Sequence, residues 1–204
     1  MKKNVLVGQS GGPTAVINAS LYGVVTESLK HDEEIDTVYG MVNGIEGFLA
    51  DHYLDLSHTL GSRELELLKL TPAAYLGSCR FKLPEDLNSE VYRTLFRKFE
   101  ALNIGYFFYI GGNDSMDTVS KLSRYAAAVK SGIRVIGVPK TIDNDLIMTD
   151  HTPGFGSAAK YAASMVREIA LDASVYQQKS VTIIELMGRH AGWPHRRRRP
   201  GQKA

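Results

Sequence analysis

Two carboxylates stand two residues apart in Lys140-Thr141-Ile142-Asp143-Asn144-Asp145. In an extended segment, residues i and i+2 point the same way, so Asp143 and Asp145 are expected to face one cavity. Two like charges that close need a cation or a proton beside them. A magnesium-bound phosphate next to a hydroxyl that must lose its proton meets that need, with Asp143 as the candidate base. Phosphoryl transfer also needs positive groups around the moving phosphoryl, and Lys140, Arg80 and Arg189 are the candidates. A solvated turn rich in Asp and Asn is the alternative reading of the same residues.

Phosphate oxygens are best reached by backbone N–H groups, and glycine allows the closest approach. Gly11-Gly12 and Gly111-Gly112 offer two such places. No G-x-x-x-x-G-K-[ST] run occurs, which excludes a Walker-type loop. Gly154-Phe155-Gly156-Ser157-Ala158-Ala159 mimics a dinucleotide fingerprint, but His151-Thr152-Pro153 precedes it instead of a strand. It reads as a helix N-terminus, and a nicotinamide site is not expected.

The elements that must carry these residues follow from hydrophobic spacing. Short apolar runs predict strands over residues 4–7, 37–39, 106–110, 134–138 and 181–185. Helical spacing links Ile17, Leu21, Val24, Val25 and Leu29, with Pro13 placed where that helix could begin. A second stripe is Val91, Leu95, Phe99 and Leu102, a third helix covers about residues 114–130, and a fourth carries Ala158, Ala162, Met165, Val166 and Ile169. Asn43-Gly44 reads as a turn. Alternating strands and helices predict an α/β fold with a doubly wound, mostly parallel sheet and helices on both faces. Four of the strands run into polar loops: residues 8–12, 111–115, 139–145 and 187–190. In an open parallel sheet all strand ends of one sense share an edge, so the four loops are expected to converge there.

Composition bounds the classes. The chain has 204 residues, 44% apolar and 23% charged, which is ordinary for a soluble globular domain. No apolar run reaches the length of a membrane helix, and no signal-peptide core follows Met1-Lys2-Lys3. The single cysteine, Cys79, excludes an internal disulfide framework and a cysteine zinc cage, and fits a cytoplasmic location. Net charge is +2, but Arg196, Arg197, Arg198, Arg199 and Lys203 supply five of the 24 cations, so the body without them is at −3. Residues 194–204 read as a solvated, disordered basic tail, with nucleic-acid binding the lesser alternative.

Together the motifs resemble the N-terminal half of the 6-phosphofructokinase family, specifically its pyrophosphate-dependent branch. The resemblance is carried by Gly8-Gln9-Ser10-Gly11-Gly12-Pro13-Thr14-Ala15-Val16-Ile17-Asn18, Gly77-Ser78-Cys79-Arg80, Gly111-Gly112-Asn113-Asp114-Ser115, residues 139–145, and Met187-Gly188-Arg189. It runs from Asn4 to Trp193, which is expected to form one donor-binding domain over 1–193, with 194–204 outside the family pattern.

The resemblance implies transfer of a phosphoryl group from pyrophosphate to the 1-hydroxyl of fructose 6-phosphate, with Mg2+. Asp143 matches the proton acceptor, and Lys140, Asp114 and Arg189 join it as catalytic positions. Gly11, Gly12 and Arg80 match donor contacts. Thr141, Ile142, Asp143, Met187, Gly188 and Arg189 match sugar-phosphate contacts, and Asn113 and Asp145 match the metal region. ATP-using members carry glycine at the positions of Asp114 and Lys140. A carboxylate at Asp114 would fill the space of an α-phosphate and repel it, while Lys140 adds positive charge. As bland alternatives, Asp114 would be a helix N-cap and Lys140 a solvated loop cation. Asn113 stands where most members place a metal-binding aspartate.

The family continues into a second lobe beyond Trp193, so that lobe and the family's homo-oligomeric interfaces are expected to be missing and this chain to be inactive or poorly folded. The alternatives are an ATP-dependent 6-phosphofructokinase and, in another class, a non-catalytic phosphate-binding remnant.

Overall fold

The computed structural model describes residues 1–188, which fall into two compact units, Met1–Lys140 and a second one from Thr141 onward. Arg189 and the basic tail at 194–204 lie outside the described residues. The first unit contains β1 (Lys3–Gln9), α1 (Ile17–Ser28), β2 (Ile35–Met41), α2 (Gly44–Leu49), β3 (Tyr53–Asp55), α3 (Leu56–Thr59), α4 (Ser62–Leu68), α5 (Glu90–Ala101), β4 (Ile104–Gly111), α6 (Asn113–Ala128) and β5 (Arg134–Pro139).

Its sheet has the order β3-β2-β1-β4-β5. β1 pairs in parallel with β2 and β4, and β4 in parallel with β5, whereas β3 is antiparallel to β2. The period of two along each strand divides the apolar residues between two cores. Leu6, Phe107 and Tyr109 point to one face, where they meet Ile45 and Phe48 of α2, Tyr92, Leu95, Phe96 and Phe99 of α5, and Leu122 and Ala126 of α6. Val5, Val7, Val38 and Ile110 point to the other, against Ile17, Leu21 and Val25 of α1, Leu56 of α3, and Leu65 and Leu68 of α4. The sheet is therefore wound on both sides.

Aromatic packing fastens the first core: Phe99 stacks on Phe48 at 5.6 Å and lies 5.5 Å from Phe107. Burying each such ring contributes roughly 1.5–3 kcal/mol. The face that α5 buries is Tyr92, Leu95, Phe96 and Phe99, an i, i+3, i+4, i+7 stripe one step round from the expected one; Val91 and Leu102 are only half-buried.

Three expectations need correction. α1 begins at Ile17, not at Pro13, because residues 15–16 form a turn first. Asn43-Gly44 is a turn whose two residues both have positive φ, but it opens directly into α2. No strand forms at 181–185: Val181 and Ile183 are 92% and 91% exposed, and the residues pair with nothing among those described. Strand identity depends on a hydrogen-bonded neighbour, which an apolar run does not guarantee.

The second unit's described residues hold a loop and one long helix, α7 (Phe155–Ser174). Ala162 is the only buried residue of α7; in the apolar stripe that predicts the helix, Ala158 and Met165 are half-buried and Val166 and Ile169 exposed.

Candidate active site

The carboxyl edge of the first unit is made by three neighbouring strands that stop level. Gln9 lies beside Ile110, and Gly111 beside Pro139. Ser10 N donates to Ile110 O at 2.9 Å, and Lys140 N donates to Gly111 O at 2.9 Å, each extending the ladder by one residue. After β1 the chain turns toward one core and after β4 toward the other, since α1 and α6 belong to opposite faces. The crevice between these two strand ends is the switch point at which open α/β sheets bind ligands.

Gly11 lines that crevice. Its φ is +76°, a conformation that L side chains rarely adopt. Its N–H donates to Cys79 O at 3.2 Å and its carbonyl accepts from Ser78 Oγ at 2.6 Å. A Cβ at Gly11 would stand 3.9 Å from Gly112 N and 3.9 Å from Lys140 Nζ. The space in front of Gly11 is thus bounded by a backbone amide and an ammonium. Gly112 is the N-cap of α6 and makes no side-chain cap hydrogen bond; Ser115 N donates to Gly112 O at 3.0 Å, which leaves the N–H groups of Asn113 and Asp114 to face an anion. Gly111 permits this tight passage from strand to helix: a Cβ there would lie 2.0 Å from Ser115 Oγ.

Lys140 is 6% exposed and forms no ion pair among the described residues, and burial lowers its pKa. The reading of Lys140 as a solvated loop cation is therefore wrong. A buried ammonium without a carboxylate is unfavourable. An anion in front of Gly11 would supply the missing charge.

Asn113 and Asp114 are exposed residues of the first turn of α6. Asp114 is not an N-cap, since Gly112 occupies that position. Arg80, also exposed, is presented beside Gly11 by the loop that Cys79 and Ser78 tie down. Gly12 has open space around it. Gly11, Gly12, Arg80, Asn113, Asp114 and Lys140 are therefore all carried on this edge of the first unit. No group of three or more His, Cys, Asp or Glu side chains gathers among the described residues. Asn113 in the first unit offers an exposed side-chain carbonyl and Asp145 in the second an exposed carboxylate, and each is an oxygen donor of the kind magnesium takes.

A buried amide pair that sequence reasoning missed underlies the edge. Gln9 Nε2 donates to Asn18 Oδ1 at 2.9 Å and to Ile17 O at 3.1 Å, while Gln9 Oε1 accepts from Leu76 N at 2.9 Å. Asn18 Nδ2 donates to Thr71 O and Ala73 O, each at 2.8 Å, and its Oδ1 accepts from Tyr75 N at 2.8 Å. The network pins the loop before Arg80 to β1 and α1. Its signal in the sequence is an amide at the end of an apolar run and another next to Ile17 on the apolar face of a helix.

In the second unit, Asp143 N donates to Thr141 Oγ1 at 2.9 Å, and Asn144 has φ +57°. Asn144 Nδ2 donates to Asp150 O at 3.0 Å and its Oδ1 accepts from Thr152 N at 2.9 Å. The segment is a side-chain-capped turn, not an extended strand, and the left-handed residue between Asp143 and Asp145 breaks the alternation expected of them. Asp143 is half-buried and Asp145 exposed. Ile142 is half-buried, Met187 is 72% exposed, and Gly188 has φ +140°. The loop carrying Met187 and Gly188 follows no strand, so the expected four-loop convergence is not seen for it.

An α/β domain that places an amide and a buried ammonium at its switch point has the chemistry to receive an anion. Comparison with known proteins makes the class specific. The family described as Phosphofructokinase matches residues 4–194, and the chain belongs to it. The chain is 45% identical over 192 residues to the pyrophosphate–fructose 6-phosphate 1-phosphotransferase of Rhodospirillum rubrum, covering 94% of this chain and 46% of that protein. The enzyme of the same description from Halomonas elongata is 45% identical over 193 residues, covering 93% of this chain and 46% of its own. The crystal structure of the pyrophosphate-dependent phosphofructokinase from Nitrosospira multiformis superposes with a TM-score of 0.81 at 44% identity, covering 94% of this chain and 48% of that one. The chain spans about half the length of these relatives.

Proposed function

We propose that residues 1–193 form the donor-binding half of a pyrophosphate-dependent phosphofructokinase, acting in the cytoplasm on pyrophosphate and fructose 6-phosphate. The observation that supports this best is the buried Lys140 ammonium, which with Gly112 N borders the space in front of Gly11 and has no carboxylate partner among the described residues. A diphosphate placed there would accept hydrogen bonds from the first turn of α6 and neutralise Lys140. Gly11 and Gly12 let it approach the backbone, and Arg80 would hold its outer oxygens.

In the reaction proposed, Asp143 accepts the proton of the sugar 1-hydroxyl as that oxygen attacks the transferring phosphorus. The bond from phosphorus to the bridging oxygen breaks and phosphate leaves. Lys140 stabilises the charge that builds on the equatorial oxygens, and Asp114 closes the volume that a nucleotide's α-phosphate would need. Thr141, Ile142, Met187, Gly188 and Arg189 would hold fructose 6-phosphate. Asn113 and Asp145 would hold Mg2+, which when bound offsets the charge of the donor.

Calorimetric titration of the 204-residue chain with pyrophosphate and with ATP tests the donor assignment. Pyrophosphate should bind and Lys140→Met should abolish binding. Tighter binding of ATP than of pyrophosphate would instead favour the ATP-dependent branch.

A further inference from the structure

Lys121 is a buried cation that the proposed chemistry does not use. It lies in the middle of α6, 4% exposed, and its ammonium is fully engaged. Nζ donates to Asp117 Oδ2 at 2.7 Å within α6, to Glu85 Oε1 at 2.5 Å, and to Leu83 O at 3.2 Å. Hydrogen bonds donated to Asp117 and then to Glu85 hold it charged, with its pKa well above the ordinary lysine value. Two of these three partners belong to the chain segment that follows Arg80.

That segment is held on both sides, and Phe81 and Leu87 pack against the core within it. Upstream, Ser78 and Cys79 tie it to Gly11. Downstream, Tyr92 Oη donates to Pro84 O at 2.6 Å, and Leu83 is buried in the core shared with α5 and α6. Only Phe81 and Lys82 separate Arg80 from Leu83, a reach of at most about 10 Å. Lys121 is eight residues along α6 from Asn113, about 12 Å. A displacement of the segment at Leu83 would therefore be felt at Arg80.

We infer that Lys121 is a positioning residue: by binding Leu83 O and Glu85 from inside α6, it fixes the Arg80 segment relative to the helix whose N-terminus borders the anion space. A surface ion pair would not do this, because exposed side chains exchange partners freely with water. A nearly buried ammonium does not exchange in this way, since leaving these oxygens would strand it without acceptors. The inference rests on the donor site proposed above, and it predicts coupling between Lys121 and Arg80 in donor binding.

The test is a double-mutant cycle read by calorimetry with pyrophosphate as the probe, using Lys121→Met, Arg80→Met and the double variant in the 204-residue chain. Lys121→Met should weaken pyrophosphate binding about tenfold when Arg80 is present and have little effect when it is absent. The same loss in both backgrounds would mean that Lys121 supports the fold only, and would overturn the inference. Amide hydrogen exchange read on the same proteins without ligand separates the two proposals. Lys121→Met should speed exchange across residues 81–85 while leaving β1 protected; unchanged exchange there also overturns the inference. Failure of the unaltered chain to bind pyrophosphate, with exchange responding as expected, would refute the donor site while leaving the anchoring role in place. Should Lys121→Met fail to fold, Glu85→Gln removes one arm of the anchor from an exposed side chain and is read in the same way.

Discussion

Gln9 and Asn18 share a hydrogen bond of 2.9 Å in a place that water does not reach, and between them they satisfy four backbone groups of the loop over residues 71–76 and of Ile17 O. The pair joins the end of β1, the first turn of α1 and the segment that leads to Gly77 and Arg80. Replacing Gln9 with leucine keeps the volume but strands Leu76 N and part of Asn18. Each buried polar group left unpaired costs about 1–3 kcal/mol, so Gln9→Leu should lower unfolding stability by about 2–4 kcal/mol. Urea denaturation measures this, and a loss under about 1 kcal/mol would show that the network matters little.

How much of this was legible beforehand depends on what kind of information each feature needs. β1, β4 and β5 are continuous apolar runs ended by polar loops, and local pattern sufficed to place them. β3, α3 and α4 were not foreseen, because Tyr53–Asp55 is three residues long and becomes a strand only by pairing with Tyr39, Gly40 and Met41 of β2. The run at 181–185 failed for the converse reason. Of the candidate site, Gly11-Gly12 and Gly111-Gly112 were visible as glycine pairs, whereas the burial of Lys140 was not: nothing in Pro139-Lys140-Thr141 distinguishes a buried lysine from a solvated one. The extended geometry expected between Asp143 and Asp145 is replaced by a turn because Asn144 adopts a left-handed conformation, which asparagine does more readily than most residues.

Gly11 should tolerate no side chain. Alanine at φ +76° carries about 1 kcal/mol of backbone strain, and its methyl group would point toward Gly112 N and Lys140 Nζ. Gly11→Ala should therefore lower thermal stability modestly and weaken pyrophosphate binding by about tenfold or more, read by melting and by calorimetric titration. Unchanged affinity would remove Gly11 from the donor site.

Lys140 should oppose stability while serving binding. Burial lowers its folded pKa below the ordinary lysine value of the unfolded chain. Below the folded pKa both states are protonated, and the folded chain carries the full burden of a buried charge. Between the folded and unfolded values the folded chain binds fewer protons, so stability rises with pH through that window. Lys140→Met should accordingly be more stable than the unaltered chain at neutral pH, with the difference shrinking as pH rises toward the ordinary lysine range. The same variant should lose pyrophosphate binding. Urea midpoints at several pH values check the first statement, and a variant less stable at every pH would contradict it.

The donor preference itself can be reversed on the bench if two side chains set it. Asp114 is in the first turn of α6 and Lys140 faces the space before Gly11, so the pair controls both the room and the charge available to a phosphate chain. Glycine at both positions opens the first turn of α6 to a further phosphate and removes the ammonium that a compact diphosphate would need. Asp114→Gly combined with Lys140→Gly should weaken pyrophosphate by about tenfold or more and bring ATP binding into the measurable range. Each single change separates the contributions: Asp114→Gly should admit ATP without displacing pyrophosphate, because Lys140 still supplies the counter-charge, whereas Lys140→Gly alone should lose pyrophosphate and gain nothing. Calorimetric titration of the three variants with both ligands decides the matter, and a double variant that still prefers pyrophosphate would place the origin of donor choice elsewhere in the chain.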